Sequence, residues 1–427
     1  MADLGWTLAK IGFMLAFVMG LLGVMIWGER KGSAFIQDRI GPNRASLGGV
    51  IRLGGLIHPL ADVLKLIFKE DLIPAGVNRF FFALAPFLVM VIPLCTFAIL
   101  PFGDALYLGD KVIPLRIANL DVGILYLLAI TSLSVYGIVL AGWASNNKYT
   151  FLGGIRATAQ MISYELNMGL AVLALFLVYG STRVDAMVVE QGQLLWGFLP
   201  RWGVVLQPLG FIIFLVSVFA EANRTPFDLA EGESELVAGY HLEYSSLKFA
   251  LFYMAEYASM IIAAGFIASL YFGGWQIPWM DTATLREHSG ISLTVILSLG
   301  VAFNFLFAAL LWRRFERERG LLGDRRELEP LILGVIFFLL GLLCLGFLLL
   351  ASPWQLGAQG AANFATVVQV GSFIVKTLFF SWLFIWVRWT LPRFRYDQLM
   401  KLGWKIMLPL GLLNFFVTAA VVLLSHS

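Results

Sequence analysis

About ten apolar runs, each near the length that crosses a bilayer as a helix, leave this 427-residue chain little choice of fold. They fall near 5–27, 80–100, 122–144, 160–180, 207–221, 247–272, 291–312, 331–351, 366–388 and 405–425. The runs are continuous and do not alternate at a period of two, so helices, whose backbone hydrogen bonds close within the segment, are expected, and barrel strands are not. With 59% hydrophobic and 13% charged residues, the chain reads as an all-α polytopic membrane protein of about ten transmembrane helices. Its opening MADLGWTLAK has one lysine before a long apolar run and no small-residue cleavage site, so a retained first span is expected.

Most of the 30 cations fall on one side of this arrangement. That side takes Arg30 to Arg79, Lys148 and Arg156, Arg224 and Lys248, the arginines from Arg313 to Arg326, and Arg388 to Lys405. The other side takes Lys10, Lys111, Arg116, Arg183, Arg201 and Arg286. The positive-inside rule then puts the long 28–79 loop in the cytoplasm and both termini outside. A net charge of +3, dispersed beside apolar runs, points to membrane lipid and to no nucleic acid.

Cys95 and Cys344 lie far apart in apolar runs, and His58, His241, His288 and His426 show no ligand spacing, so no metal or iron–sulfur site is expected. Neither a Walker loop nor a dinucleotide fingerprint is present. Any redox centre therefore belongs to a partner chain. Within the first loop, the segment LGGLIHPLADVLKLIFKED places Leu56, Ile57, Leu60, Val63, Leu64, Ile67 and Phe68 on one helical face and His58, Asp62, Lys65 and Lys69 on the other. Two readings stand: a helix lying in the membrane interface, or one packed by its apolar face on the bundle.

The stretch EANRTPFDLAEGESEL, residues 221–236, gathers Glu221, Asp228, Glu231, Glu233 and Glu235 around a single cation, Arg224. An acidic run is ordinarily a solvated loop. Against that, this one starts at the end of an apolar run, and further carboxylates, Glu165 and Glu256, lie inside neighbouring runs. Glu256 sits roughly 13 Å into its helix at 1.5 Å per residue. A charge at such depth must be neutral, paired or wet, so a proton relay and a set of structural carboxyls both remain open. Lys376, about ten residues into its run, calls for a buried acid partner. WGERKGSAFIQDRIGPNRA reads either as a topology-fixing basic loop or as a polar wall for a ligand headgroup.

The segments GERKGSAFIQDRIGPNR, HPLADVLKLIFKED, GWASNNKYTFLGGIRATAQMISYE, AEANRTPFDLAEGESELVAGYHLEY, FALFYMAEY and WTLPRFRYDQLMKLGWKIMLPL closely resemble the H-subunit family of respiratory complex I, the proton-translocating NADH:quinone oxidoreductase. The resemblance implies a membrane component of the bacterial inner membrane that encloses a quinone chamber with hydrophilic partner subunits, one of which carries the terminal iron–sulfur cluster, beside small membrane subunits. It implies no flavin, metal or cluster in this chain. Carried over by position, Glu165, Glu221, Asp228, Glu231, Glu233, Glu235 and Glu256 match the family's proton path. Glu29, Arg30, Arg39, Asp62, Lys65, Arg224 and Phe227 match the quinone chamber and its mouth.

The family usually has about eight spans. The chain is therefore divided into a membrane core over 1–284 with chamber loops at 28–79, 145–160 and 221–247, an inserted hairpin over 285–360 with a six-arginine loop, and a C-terminal two-helix part over 361–427. The related branch of energy-converting hydrogenases and of ferredoxin- or deazaflavin-fed complexes is the nearest alternative. A stand-alone secondary transporter is disfavoured by the lack of an inverted repeat.

Overall fold

The computed structural model describes residues 2–320, 325–351 and 357–426, and among them nine helices are long and apolar enough to cross a membrane. Ala2–Ile36 (α1) carries the first run on into the polar WGERKG segment, and the amphipathic segment forms Ile57–Phe68 (α2). Arg79–Thr96 (α3) starts at Asn78, whose side chain accepts the N–H groups of Phe80 and Phe81. It packs on Gly123–Ala144 (α4), which packs in turn on Lys148–Tyr179 (α5). The latter is capped by Asn147 and ends at Gly180 in the left-handed conformation. Short helices Val184–Glu190 (α6) and Gly203–Leu206 (α7) lead into Pro208–Glu221 (α8).

A single turn, Glu233–Leu236 (α9), precedes Ser246–Tyr271 (α10). The short Thr282–Glu287 (α11) then leads into the paired Ser289–Glu318 (α12) and Glu329–Ala351 (α13). Ala358–Thr390 (α14) follows. The last span joins Tyr396–Lys401 (α15), a π-helical turn over Leu402–Met407, and Leu408–His426 (α16). Two small antiparallel hairpins add to the helices: Ala105–Leu108 (β1) with Lys111–Pro114 (β2), and Leu194–Leu195 (β3) with Leu199–Pro200 (β4).

The tenth expected crossing is the one that differs. Helix α8 has 14 residues, about 21 Å at 1.5 Å per residue, against about 30 Å of hydrocarbon. Phe211 in its first turn packs its ring beside Tyr271 and Phe272 at the end of α10, 5.3 and 5.4 Å away. Its last turn runs directly into irregular chain that lies among the helices. Apolar content alone does not show this, because the loop's own Phe227, Leu229, Ala230, Leu236, Tyr240 and Tyr244 are buried like a core. Such backbone is tolerated at depth only where protein surrounds it.

Polar segments lock together on two opposite sides. On one, the Ser246 hydroxyl donates to the carbonyls of Leu66 and Lys69, Lys248 pairs with Asp71 at 2.7 Å, the Asn147 amide donates to Glu243 at 2.6 Å, and the Phe394 N–H donates to the Pro226 carbonyl. On the other, Lys10 donates to the Arg116 carbonyl, and Arg286 pairs with Asp104. The basic segments that the sequence groups by side are grouped the same way in space.

Leu60, Val63, Leu64, Ile67 and Phe68 on α2 are exposed, as an interfacial helix requires, while Ile57 at its start is buried. Helices α12 and α13 pack mainly on each other, through rings such as Phe307 and Phe337 at 4.8 Å, and turn most other apolar side chains outward.

Close backbone contact fixes the loop after α8 against α5. A Cβ on Gly153 would fall 2.7 Å from the Tyr240 nitrogen and 2.9 Å from Gly239 backbone atoms. Gly153→Ala should therefore destabilise the protein by about 1–3 kcal/mol, read as a lower unfolding temperature in mild detergent. Gly169→Ala, whose Cβ meets only the tip of Leu128 at 4.0 Å, should leave that temperature unchanged.

Candidate functional site at the buried acidic loop

The chain from 222 to 245 is no solvated loop. Arg224 has 3% of its side chain exposed and makes contacts with two carboxylates from different helices. Its Nε lies 2.6 Å from Oε1 of Glu256 on α10, and its Nη1 lies 3.3 Å from Oε2 of Glu29 on α1. The guanidinium stands over the Tyr257 ring, 4.3 Å from its centroid. The Tyr257 hydroxyl in turn donates to Glu29 at 2.9 Å. Glu29 has a second cation, Arg388 near the end of α14, in a close ion pair. Three helices and one loop thus share one buried charge cluster, in which each acid has a cation and each cation an acid.

Beside it lies a cavity with about 90 Å³ open to the centres of water molecules, room for several waters. Glu221, Glu256, Asn223, Tyr240, Thr131, Ser134 and Ser259 supply polar atoms to a wall that is otherwise apolar. Glu165 on α5 accepts a short hydrogen bond from Ser132 on α4, whose neighbours Thr131 and Ser134 line the cavity. Two of the three carboxylates that the sequence places inside or at the end of spans, Glu221 and Glu256, therefore line one space, and Glu165 stands behind it on Ser132. Gln160 on α5 holds the end of α8 through the Ala220 carbonyl at 2.7 Å and Asn223 at 3.2 Å.

Asp228 pairs with Arg393 at 2.7 Å, and its other oxygen is buried without a partner among the described residues. Burial pushes the Asp228 carboxyl up from its ordinary value, against the pull of Arg393 and Arg388. Burial also pushes the Glu231 carboxyl well above its ordinary value, and the nearby Glu256 and Asp228 add to it. His241, 3.7 Å from Glu231, is pushed down to about 4 by burial and stays neutral. The Tyr240 hydroxyl is pushed up by burial and by the same acids.

Other expected site residues lie apart. Glu235 is half exposed and pairs with Arg156 at 2.6 Å. The Glu233 side chain lies outside the described residues. Arg30 pairs with Asp62 at 2.5 Å and Lys65 with the same acid at 3.9 Å, all at the surface between α1 and α2. Arg39 is exposed on Gln37. Phe227 packs between Tyr164 and Phe394, each ring 5.5 Å away.

Lys376 corrects one expectation. Its amine has no acid partner among the described residues and instead donates to the carbonyls of Phe272, Gly274 and Gln276, at 2.8, 2.9 and 2.5 Å. These are carbonyls just past the end of α10 that lack helical partners, a favourable place for a cation. Sequence reasoning also passes over Arg388, Arg393 and Tyr257 as site residues. The two arginines count toward sidedness like any others, and only the acids waiting across the bundle set them apart.

The NADH dehydrogenase family matches residues 9–320 and 330–419. The chain is 42% identical to NADH-quinone oxidoreductase subunit 8 of Rhodothermus marinus, over 97% of this chain and 96% of that one. It is 40% identical to an NADH-quinone oxidoreductase H subunit of Solibacter usitatus, over 97% and 96%. With an H subunit of the same enzyme from Cytophaga hutchinsonii the identity is 38%, over 96% and 94%. The matched segments run through both helices of the α12–α13 hairpin, so the hairpin does not set this chain apart from its relatives. On the extent of these matches the chain belongs to the NADH dehydrogenase family, among the H subunits of NADH-quinone oxidoreductase.

Proposed function

We propose that this multi-pass membrane subunit of NADH-quinone oxidoreductase forms one wall of a quinone chamber and turns quinone reduction into proton displacement through its buried carboxylates. The carrying observation is the Arg224 guanidinium held between Glu29 and Glu256. Glu29 belongs to the chamber set, with Arg30, Arg39, Asp62, Lys65, Arg224 and Phe227. Glu256 belongs to the path set, with Glu165, Glu221, Asp228, Glu231, Glu233 and Glu235. One cation shared between the two sets is a physical means of coupling them. Negative charge appearing in the chamber draws on Arg224 and Arg388, and a carboxylate whose cation is drawn away takes up a proton more readily.

In this reading hydrophilic partner subunits close the chamber and one of them brings the terminal iron–sulfur cluster, while small membrane subunits continue the proton path. This chain's own residues orient the quinone and store or pass protons. The interlocked side with α2 and the buried loop faces the cytoplasm, in a bacterial inner membrane, with both termini outside. Residues 1–284 and 361–427 form the functional core, and 285–360 form a hairpin beside it.

In the assembled complex, Glu256→Gln should suppress quinone-linked proton pumping while NADH oxidation by a water-soluble acceptor continues. Wild-type pumping rate and stoichiometry in that variant would sink the relay. Glu235→Gln, at a half-exposed pair, tests whether the path extends to the loop surface, and unchanged pumping there removes Glu235 from it. Arg224→Ala leaves Glu29 and Glu256 short of positive charge and should cost about 3–5 kcal/mol of stability. Arg224→Lys keeps the charge without the fork and should fold better yet still lose most quinone reduction, measured as NADH:quinone turnover per assembled complex.

A further inference from the structure

The loop between α1 and α2 is tied down at almost every turn. Lys31 donates to the Ile40 carbonyl at 2.8 Å, His58 accepts the N–H groups of Arg44 and Ala45, and the Trp27 indole donates to the Gly54 carbonyl at 3.1 Å. A Cβ on Gly55 would lie 2.1 Å from the Pro42 carbonyl oxygen, so the two arms of the loop touch. Leu53, Gly54 and Gly55 follow one another with φ of 48°, 62° and 97°, and for Leu53 this left-handed conformation is strained.

What holds the strained turn comes from another part of the chain. Arg52 is right-handed helical and Leu53 left-handed, the succession that turns neighbouring N–H groups toward one point and makes an anion nest. The carboxylate in that nest belongs to Glu329, the first residue of α13. It accepts the N–H of Arg52 at 2.8 Å, the N–H of Leu53 at 2.5 Å and the Arg52 Nε at 2.9 Å. Both side chains are buried, at 6% and 7% exposure. Because α12 and α13 pack mainly on each other, this contact is a principal attachment of the hairpin to the polar side of the bundle.

We propose that Glu329 is a positioning residue for the chamber mouth: through the nest at Arg52 and Leu53 the α12–α13 hairpin fixes the 40–58 loop and the start of α2, and so sets quinone access. The inference rests on the proposed quinone chamber, which places Arg30 and Asp62 at that mouth. A severed clamp frees the loop to relax its left-handed turn and to carry α2 with it through His58.

The test uses Glu329→Ala and Glu329→Gln in the assembled complex. Hydrogen exchange over 40–58 should accelerate, and KM for a soluble short-chain quinone should rise about fivefold with kcat unchanged. Glu329→Gln, which keeps one acceptor oxygen, should fall between Glu329→Ala and wild type. Unchanged exchange overturns the proposal, and so does a loss of turnover that tracks the amount of assembled enzyme at constant KM. Asp62→Asn separates the two failures. If it raises KM where Glu329→Ala does not, the clamp is wrong; if neither moves KM, the chamber reading has failed with it.

Discussion

A charge taken out of water must be met by an opposite charge or given up, and Arg224 is where this chain meets that demand. Glu29 and Glu256 sit on helices far apart in sequence, and one guanidinium between them makes both tolerable inside the bundle. The rest of the polar interior follows from that placement. The loop bearing Arg224 has to enter the bundle, α8 has to stop early to release it, and α14 has to end with Arg388 beside Glu29. Gly153 and Gly239 let the loop backbone lie against α5 and against itself without side chains between. The acidic character of much of the stretch is thus a consequence of depth: Glu221 faces a small cavity, Asp228 pairs with Arg393 and Glu231 is buried beside His241, while Glu235 reaches the surface.

The spans are legible in the sequence because hydrophobic runs carry their own length, and the caps at Asn78 and Asn147 carry their own boundaries. Depth along a helix is legible too, which is why Glu165 and Glu256 stand out from the residues alone. Partnerships across the bundle are not. Its apolar sequence neighbours alone call for an acid beside Lys376, but backbone carbonyls have no signature in sequence, and three of them satisfy it. Arg388 and Arg393 read as topology markers until Glu29 and Asp228 are found beside them. Glu235 and Glu231 stand four residues apart in one acidic run, yet one is half exposed and the other is buried beside Glu256 and Asp228. Four residues along a helix would put both on one face, and the left-handed Gly232 between them breaks that register.

The hairpin of α12 and α13 shows the opposite economy. Most of its surface is turned outward, and its helices are held by each other's rings. Its link to the polar side is made by a carboxylate reading backbone N–H groups, a contact that pins one geometry of the chain and tolerates little slack.

The early end of α8 has an electrical consequence. Its 14 residues span about 21 Å against about 30 Å of hydrocarbon, so Glu221 and the cavity beside it lie at the end of a helix too short to cross by itself. On the proposed proton path, a proton entering a carboxylate within the membrane crosses part of the transmembrane voltage, which is worth about 2.3 kcal/mol per charge for each 100 mV over the full width. On that proposal, occupancy of the cavity carboxylates responds to membrane voltage as well as to bulk pH, and an energised membrane pushes back on the site itself as well as on the final exit of protons.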